Sequence, residues 1–252
     1  MLRSFKQFFF LLVLGGLIFL LVLIIKNNES DDIDVIIQPP IVYQPLEVAD
    51  KWLFEASDVD YDLLLKIRNP NTAYGSGDVR YRVTLLRGDG QSVGYKDAAL
   101  YILPGQTKYE IISFRSNEKV VDTEVFFRDT QWKAAEPLIT RGMSALKQSN
   151  VRFVKSGSSL YYASLIGLVS NTSDYNFSRV DISVILKGLD GLPIAAARTF
   201  QNNVKAGSQR DFQVFWFRPF SAGVGDAIIQ PTTNLFDTNN FLRDPNQPGD
   251  LQ

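Results

Sequence analysis

Tyr61-Asp62-Leu63-Leu64-Leu65-Lys66-Ile67-Arg68-Asn69-Pro70-Asn71 opens a stretch, 61–114, that decides the fold, because a degenerate copy of it returns at 162–217. In the first copy the alternating run ends at Asn69-Pro70-Asn71. A second run follows (Val79, Tyr81, Val83, Leu85), then Asp89-Gly90, then Pro104-Gly105 and a third run. The second copy carries the same marks at Asn171-Thr172-Ser173, at Val180, Ile182, Val184 and Leu186, at Asp190-Gly191 and at Ala206-Gly207. The Asp-Gly pair recurs after 101 residues and the later glycine after 102. A near-constant offset across strand, turn and loop marks is the signature of an internal repeat, so the chain reads as two related modules.

Within the first copy, Val59, Tyr61, Leu63, Leu65 and Ile67 share one face, and Asp58, Asp60, Asp62, Leu64, Lys66 and Arg68 the other. Period two over this length predicts a half-buried strand with its second face in water. Gly75-Ser76-Gly77 breaks the alternation, 79–85 restores it, and Asp89-Gly90 turns the chain into a hairpin. Further strands are expected at 41–48, 99–103, 108–114 and 121–128, and in the second copy at 151–155, 161–169, 179–189, 194–200, 210–217 and 227–230. Their spacing predicts an all-β chain of two tandem antiparallel sandwiches of immunoglobulin or fibronectin-III type. The stretch 130–150 carries Pro137 and Gly142 without a sustained period and reads as the junction, with a short helical turn near 144–148.

Phe8 to Ile25 is an uncharged apolar run of eighteen residues. At about 1.5 Å per residue it covers roughly 27 Å, close to a bilayer core of about 30 Å. Arg3 and Lys6 precede it, and Glu29, Asp31, Asp32 and Asp34 follow soon after Lys26. This charge asymmetry keeps the N-terminus in the cytoplasm and sends the remainder across. A cleaved signal peptide is the alternative, but 24–28 lacks the small-x-small cleavage pattern. The expected organisation is a cytoplasmic stub and transmembrane anchor at 1–27, a tether at 28–44, a first sandwich at 45–133, a linker at 134–149, a second sandwich at 150–243 and a tail at 244–252. The expected location is the cell membrane, single-pass, with the C-terminal modules extracytoplasmic.

The hydrophobic fraction of 45% and charged fraction of 21% are those of a folded protein. The chain has no cysteine and no histidine. Disulfides, thiolate and imidazole metal sites, cysteine nucleophiles and every Ser-His-Asp relay are thereby excluded. Net charge is −1, yet residues 31–60 hold eight acids against one base, Lys51. No basic cluster with interleaved aromatics stands out, so nucleic acid is not an expected partner.

Ile67-Arg68-Asn69-Pro70-Asn71, the strand 79–85 and Leu103-Pro104-Gly105 resemble the water-stress (late-embryogenesis-abundant) domain. Gly167-Leu168-Val169-Ser170-Asn171-Thr172-Ser173, Val184-Ile185-Leu186, Asp190-Gly191 and Gly207 before Phe212 are similar to the FxLYD domain. The resemblance spans roughly 45–230; Lys187-Gly188 and Leu86-Arg87 stand where the FxLYD namesake has Tyr-Asp. It implies small extracytoplasmic sandwiches that are typically non-catalytic.

Asp58-Val59-Asp60-Tyr61-Asp62 has the spacing that opens a calcium loop, but Leu63 and Asn69 stand where such a loop needs glycine and a bidentate acid. The run is explained by strand alternation, and no metal or cofactor is expected. Asn28, Asn171 and Asn176 each open an N-x-Ser acceptor pattern for glycosylation, relevant in a eukaryotic secretory host. Gly15-Gly16 lacks the spacing of a helix-pairing motif. Phe215, Phe217 and Phe220 are the candidate partner-contact residues, since an exposed aromatic cluster marks an interaction surface. The function expected is a non-enzymatic structural or protein-interaction module, held to the lipid bilayer by 8–25 and meeting a protein partner in the envelope. An envelope hydrolase or a ligand-binding sensor subunit is the alternative.

Overall fold

The structure is a computed structural model that describes residues 2–27, 41–157 and 160–242. It falls into two units, Met1–Val42 and Tyr43–Gln252.

The first unit holds the helix α1, Leu2–Asn27, whose side chains are exposed at every position from 9 to 24. Among the described residues no helix is long and apolar enough to cross a membrane. The sequence reading of 8–25 is met as a helix; its crossing of a membrane is not shown. Most of the expected tether, 28–40, and the tail, 244–252, lie outside the described residues.

The second unit is all-β, as the alternation predicts. The first sandwich contains β1 (Glu47–Glu55), β2 (Asp60–Arg68), β3 (Tyr74–Leu86), β4 (Ser92–Ile102), β5 (Thr107–Arg115), β6 (Asp122–Phe127) and the two-residue β7 (Lys133–Ala134). After the short helix α2 (Pro137–Gly142) come β8 (Leu146–Lys155), β9 (Ala163–Asn171), β10 (Asn176–Gly188), β11 (Pro193–Val204), β12 (Gln209–Trp216), β13 (Val224–Thr232) and the two-residue β14 (Phe241–Leu242). The sheets run β1-β2-β5 and β4-β3-β6 in the first sandwich, and β8-β9-β12 and β11-β10-β13 in the second. Replacing β1 to β6 by β8 to β13 converts one topology into the other, so the repeat seen in the sequence is a repeat of fold.

The correspondence extends to single hydrogen bonds. Gly90 and Gly191 take φ of +79° and +80°, a conformation glycine adopts without steric cost, and each N–H donates to the carbonyl three residues back. Asn69 and Asn171 are both buried at the end of their strands, and each side-chain amide donates to carbonyls of two loops. Their backbone N–H groups donate to Gln106 and Ser208, again 102 residues apart.

Each sandwich has its own core. Tyr61, Leu63, Leu65 and Ile67 of β2 face Val79, Tyr81, Val83 and Leu85 of β3; Leu165 and Val169 of β9 lie in one cluster with Val180, Ile182, Val184 and Leu186 of β10. A third apolar layer joins the two, made of Leu64, Ile111, Ile185 and Ala196 with Trp52, Phe54, Tyr109 and Ile228 at its margins. It places the outer face of sheet β1-β2-β5 against the outer face of sheet β11-β10-β13. Leu64, expected on a solvent face, is 0% exposed at the centre of this seam. Polar bonds flank the apolar patch: Gln230 accepts from the Tyr109 N–H (2.9 Å) and donates to the Thr107 carbonyl (2.7 Å), while the Ser183 hydroxyl donates to the Tyr109 carbonyl (2.9 Å).

Three local expectations need correction. The first strand lies at Glu47–Glu55, not at 41–48; a register shift between Val48 and Asp50 breaks its alternation, while Tyr43 stacks on Trp132 with ring centroids 5.7 Å apart. β4 starts at Ser92, seven residues before the expected 99, and runs through Gly94. The helical turn expected near 144–148 sits at Pro137–Gly142, where proline suits a first helical turn, and Leu146 already pairs with Asn171 in β8.

Candidate functional site

Two openings along the seam are the candidate sites. The first is an aromatic groove of about 620 Å³ whose lining includes Phe54 and Ile111 from one sandwich and Ala196, Phe215 and Phe217 from the other. β12 buries Phe212, Val214 and Trp216 and turns Phe215 outward, and Phe217 follows directly after it; these two are 42% and 73% exposed. Phe220 also lines the groove, but less exposed than the other two. Its ring packs edge-on against Trp216 (5.7 Å) and Tyr162 (5.2 Å), at the margin of the second core. At the groove's mouth Arg218 Nη2 donates to Asp58 Oδ1 at 2.6 Å, tying the sandwiches together.

The acids of 58–62 go to three separate partners. Arg115 donates to both oxygens of Asp60 (2.8 and 3.1 Å) and Ser57 adds a third bond, holding that carboxyl below its ordinary value. Asp62 accepts from Ser113 at 2.6 Å, while burial pushes its pKa up. Among the described residues no group of three acids converges as a metal site would require. Asp89 and Asp190 accept the N–H two residues on, at 3.0 Å each, as turn residues do. Asn171, in an acceptor pattern for glycosylation, is closed to modification in the folded chain because its amide is buried and bonded.

The second opening is a cavity of about 520 Å³ that the sequence did not disclose. Lys108 and Glu110 of β5 pair with Ile67 and Leu65 of β2, and so point inward in phase with Ile112 and Phe114. Asp181 of β10 and Arg198 and Phe200 of β11 close the cavity from the second sandwich. Tyr101 donates to Asp181 at 3.1 Å and shares a bond of 2.9 Å with Thr232. Arg179 Nε donates to the other Asp181 oxygen at 2.7 Å, and Arg198 Nη1 lies 4.0 Å from Glu110. The Tyr81 hydroxyl, also buried, lies beside Glu110 without reaching hydrogen-bonding geometry. A charged residue in phase with the apolar face is the signal that a reading of 108–114 as Lys-x-Glu-x-Ile-x-Phe contains.

Lys108 is 5% exposed and has no hydrogen-bond acceptor among the described residues; its ammonium stands 3.3 Å above the Tyr101 ring centroid. Burial lowers its pKa from 10.5 to about 8, against the opposing pull of Glu110 and Asp181. A lysine with a depressed folded pKa binds fewer protons folded than unfolded between these values, so stability rises with pH across that window. Urea titrations of the protein are expected to show a rise of up to about 3 kcal/mol between pH 8 and pH 10.5. Lys108→Met removes that component, and an identical pH profile for the two proteins would refute the assignment.

Comparison with models of known protein families gave no match, and comparison with curated proteins gave none either.

Proposed function

We propose that the protein is a non-enzymatic interaction module, anchored in a membrane by α1 and presenting its two fused sandwiches to a protein partner outside the cytoplasm. The observation that carries this reading is the exposure of Phe215 and Phe217 on a groove between two sandwiches that an apolar seam holds together. Exposed aromatics on a pre-organised surface bind with little ordering cost and are enriched where partners dock. Anchoring rests on the uncharged run 8–25 and on Arg3 and Lys6 before it. A helix apolar on all sides has no face to turn to water and must be covered by protein or lipid. The FxLYD-like and water-stress-like marks support the same reading, since such domains act extracytoplasmically.

The test joins both parts. Full-length protein is expected to stay with membranes through alkaline carbonate washing, and removal of 1–27 to release it. From detergent extracts, the Phe215→Ser/Phe217→Ser variant is expected to lose at least tenfold of the partner recovered by wild type, with stability unchanged within about 0.5 kcal/mol. Equal recovery by both proteins would move the contact elsewhere.

A further inference from the structure

Matching strands of the two sandwiches differ at one pair of positions, and that difference makes a site. In the second sandwich Arg210 is exposed and reaches the Asn203 carbonyl at 3.2 Å, while Phe212 fills the core opposite Gly167. There a side chain at Gly167 would collide with the Phe212 ring, its Cβ lying 2.7 Å from the ring edge. In the first sandwich the corresponding residues, 102 positions earlier, are Lys108 and Glu110, opposite Ile67 and Leu65. The fold accommodates an aromatic plug at this position, yet the first copy has a carboxylate and a cavity of about 520 Å³. That volume is within the range of small-molecule sites, roughly 300 to 1,000 Å³.

The charges around the cavity do not cancel. Arg179 is bonded to Asp181 and Arg198 faces Glu110, which leaves the Lys108 ammonium with an aromatic face and no anion. A buried ammonium satisfied only by a ring is short of hydrogen-bond acceptors, and an oxyanion supplies them. The surplus is a single positive charge, which a monoanion balances and a dianion overshoots. The walls include Tyr101 and Phe200, aromatic rings that each carry a cation over one face, Lys108 and Arg179, and the hydroxyl of Thr199 adds a further polar group.

We propose that this cavity binds a small organic monocarboxylate, its carboxylate paired with Lys108 and its body lying between the two sandwiches. The site is independent of the aromatic groove: binding is expected to be unchanged in the Phe215→Ser/Phe217→Ser variant, so its failure leaves the partner-contact reading intact.

The experiment is isothermal titration and thermal unfolding of the full-length protein in detergent with benzoate as probe, against inorganic phosphate and chloride at equal ionic strength, at pH 7. Benzoate is expected to bind saturably and raise the unfolding temperature, with Lys108→Met raising Kd at least tenfold. Lys108→Met replaces a buried charge by an apolar chain of similar length and is expected to fold. Independently of any variant, Kd in wild type is expected to rise about tenfold or more from pH 7 to pH 9.5, as Lys108, flanked by Glu110, Asp181, Arg179, Arg198 and Tyr101, loses its proton. Three results would overturn the proposal: a benzoate effect no larger than that of chloride, a response that survives in Lys108→Met, or phosphate binding more tightly than benzoate.

Discussion

Asn171→Ala is expected to cost the fold about 3–4 kcal/mol, and Asn69→Ala a similar amount. Neither residue touches a candidate site; each fastens the open end of its sandwich. The Asn171 amide donates to the carbonyls of Tyr175 (2.7 Å), Val204 (3.2 Å) and Lys205 (3.3 Å), and its oxygen accepts from the Ser173 N–H (3.1 Å) and hydroxyl (2.6 Å). The Asn69 amide donates to Tyr74 (2.7 Å) and Leu103 (2.9 Å), and its oxygen accepts from the Asn71 N–H at 3.0 Å. Both side chains are 1% exposed, so water cannot replace the lost partners, and each stranded buried group costs about 1–3 kcal/mol. Aspartate is expected to be worse than alanine at either place, because it puts an acceptor where carbonyl oxygens need a donor. Urea unfolding of the four variants is the measurement. A cost below about 1 kcal/mol for both alanine variants would show that the loops hold without these amides.

The second large effect belongs to the seam. Ile185→Asp is expected to separate the sandwiches without unfolding either, because Ile185 is 0% exposed among Leu64, Ile111 and Ala196 and belongs to neither internal core. A carboxylate there has no partner, and an uncompensated charge in a buried apolar layer costs about 3–5 kcal/mol. Opening the seam exposes the connection around α2, so limited proteolysis is expected to cut between 129 and 145 in the variant and spare wild type. Small-angle scattering is expected to show a longer particle with strand content retained in circular dichroism. Protease resistance equal to wild type would mean that the remaining contacts, among them the bonds of Gln230, Ser183, Tyr101, Arg218 and Asn234 and the packing of Leu103 in the second core, hold the sandwiches together.

These two effects also mark what the sequence could and could not disclose. Strands β2, β3 and β10 are legible because alternation is a local property, and one face of each strand must be apolar for a core to form. The turns are legible because Asp-Gly supplies a backbone conformation that few other pairs allow. β1 is not, since its bulge at Val48–Asp50 shifts the phase and much of it faces water. The seam is hidden for a different reason. Leu64 and Ile185 each stand as a lone apolar residue on a strand's polar face, and nothing local says that the two faces meet. The ionic cavity is the hardest case: Lys108 and Asp181 are seventy-three positions apart in the sequence and share a site only because one sandwich covers the open edge of the other. Phe215 and Phe217 are placed outward by alternation and by the end of β12, whereas Phe220 lies past the strand, where alternation has no authority.

The joint between the sandwiches uses unlike sheets: β1-β2-β5 from one and β11-β10-β13, the counterpart of β4-β3-β6, from the other. Such a head-to-tail contact leaves a free donor and a free acceptor surface at opposite ends, and in principle propagates into a filament. The vacant end of the first sandwich is blocked by its chemistry. Where β10 offers Asp181, Ser183 and Ile185 to the joint, β3 carries Arg80, Arg82 and Thr84, with Arg82 locked to Asp97 by two bonds of 2.7 and 2.8 Å. Seating another molecule there would strip water from that ion pair and offer no isoleucine in return. The outer face of β3 therefore lacks the apolar patch through which β10 makes the joint.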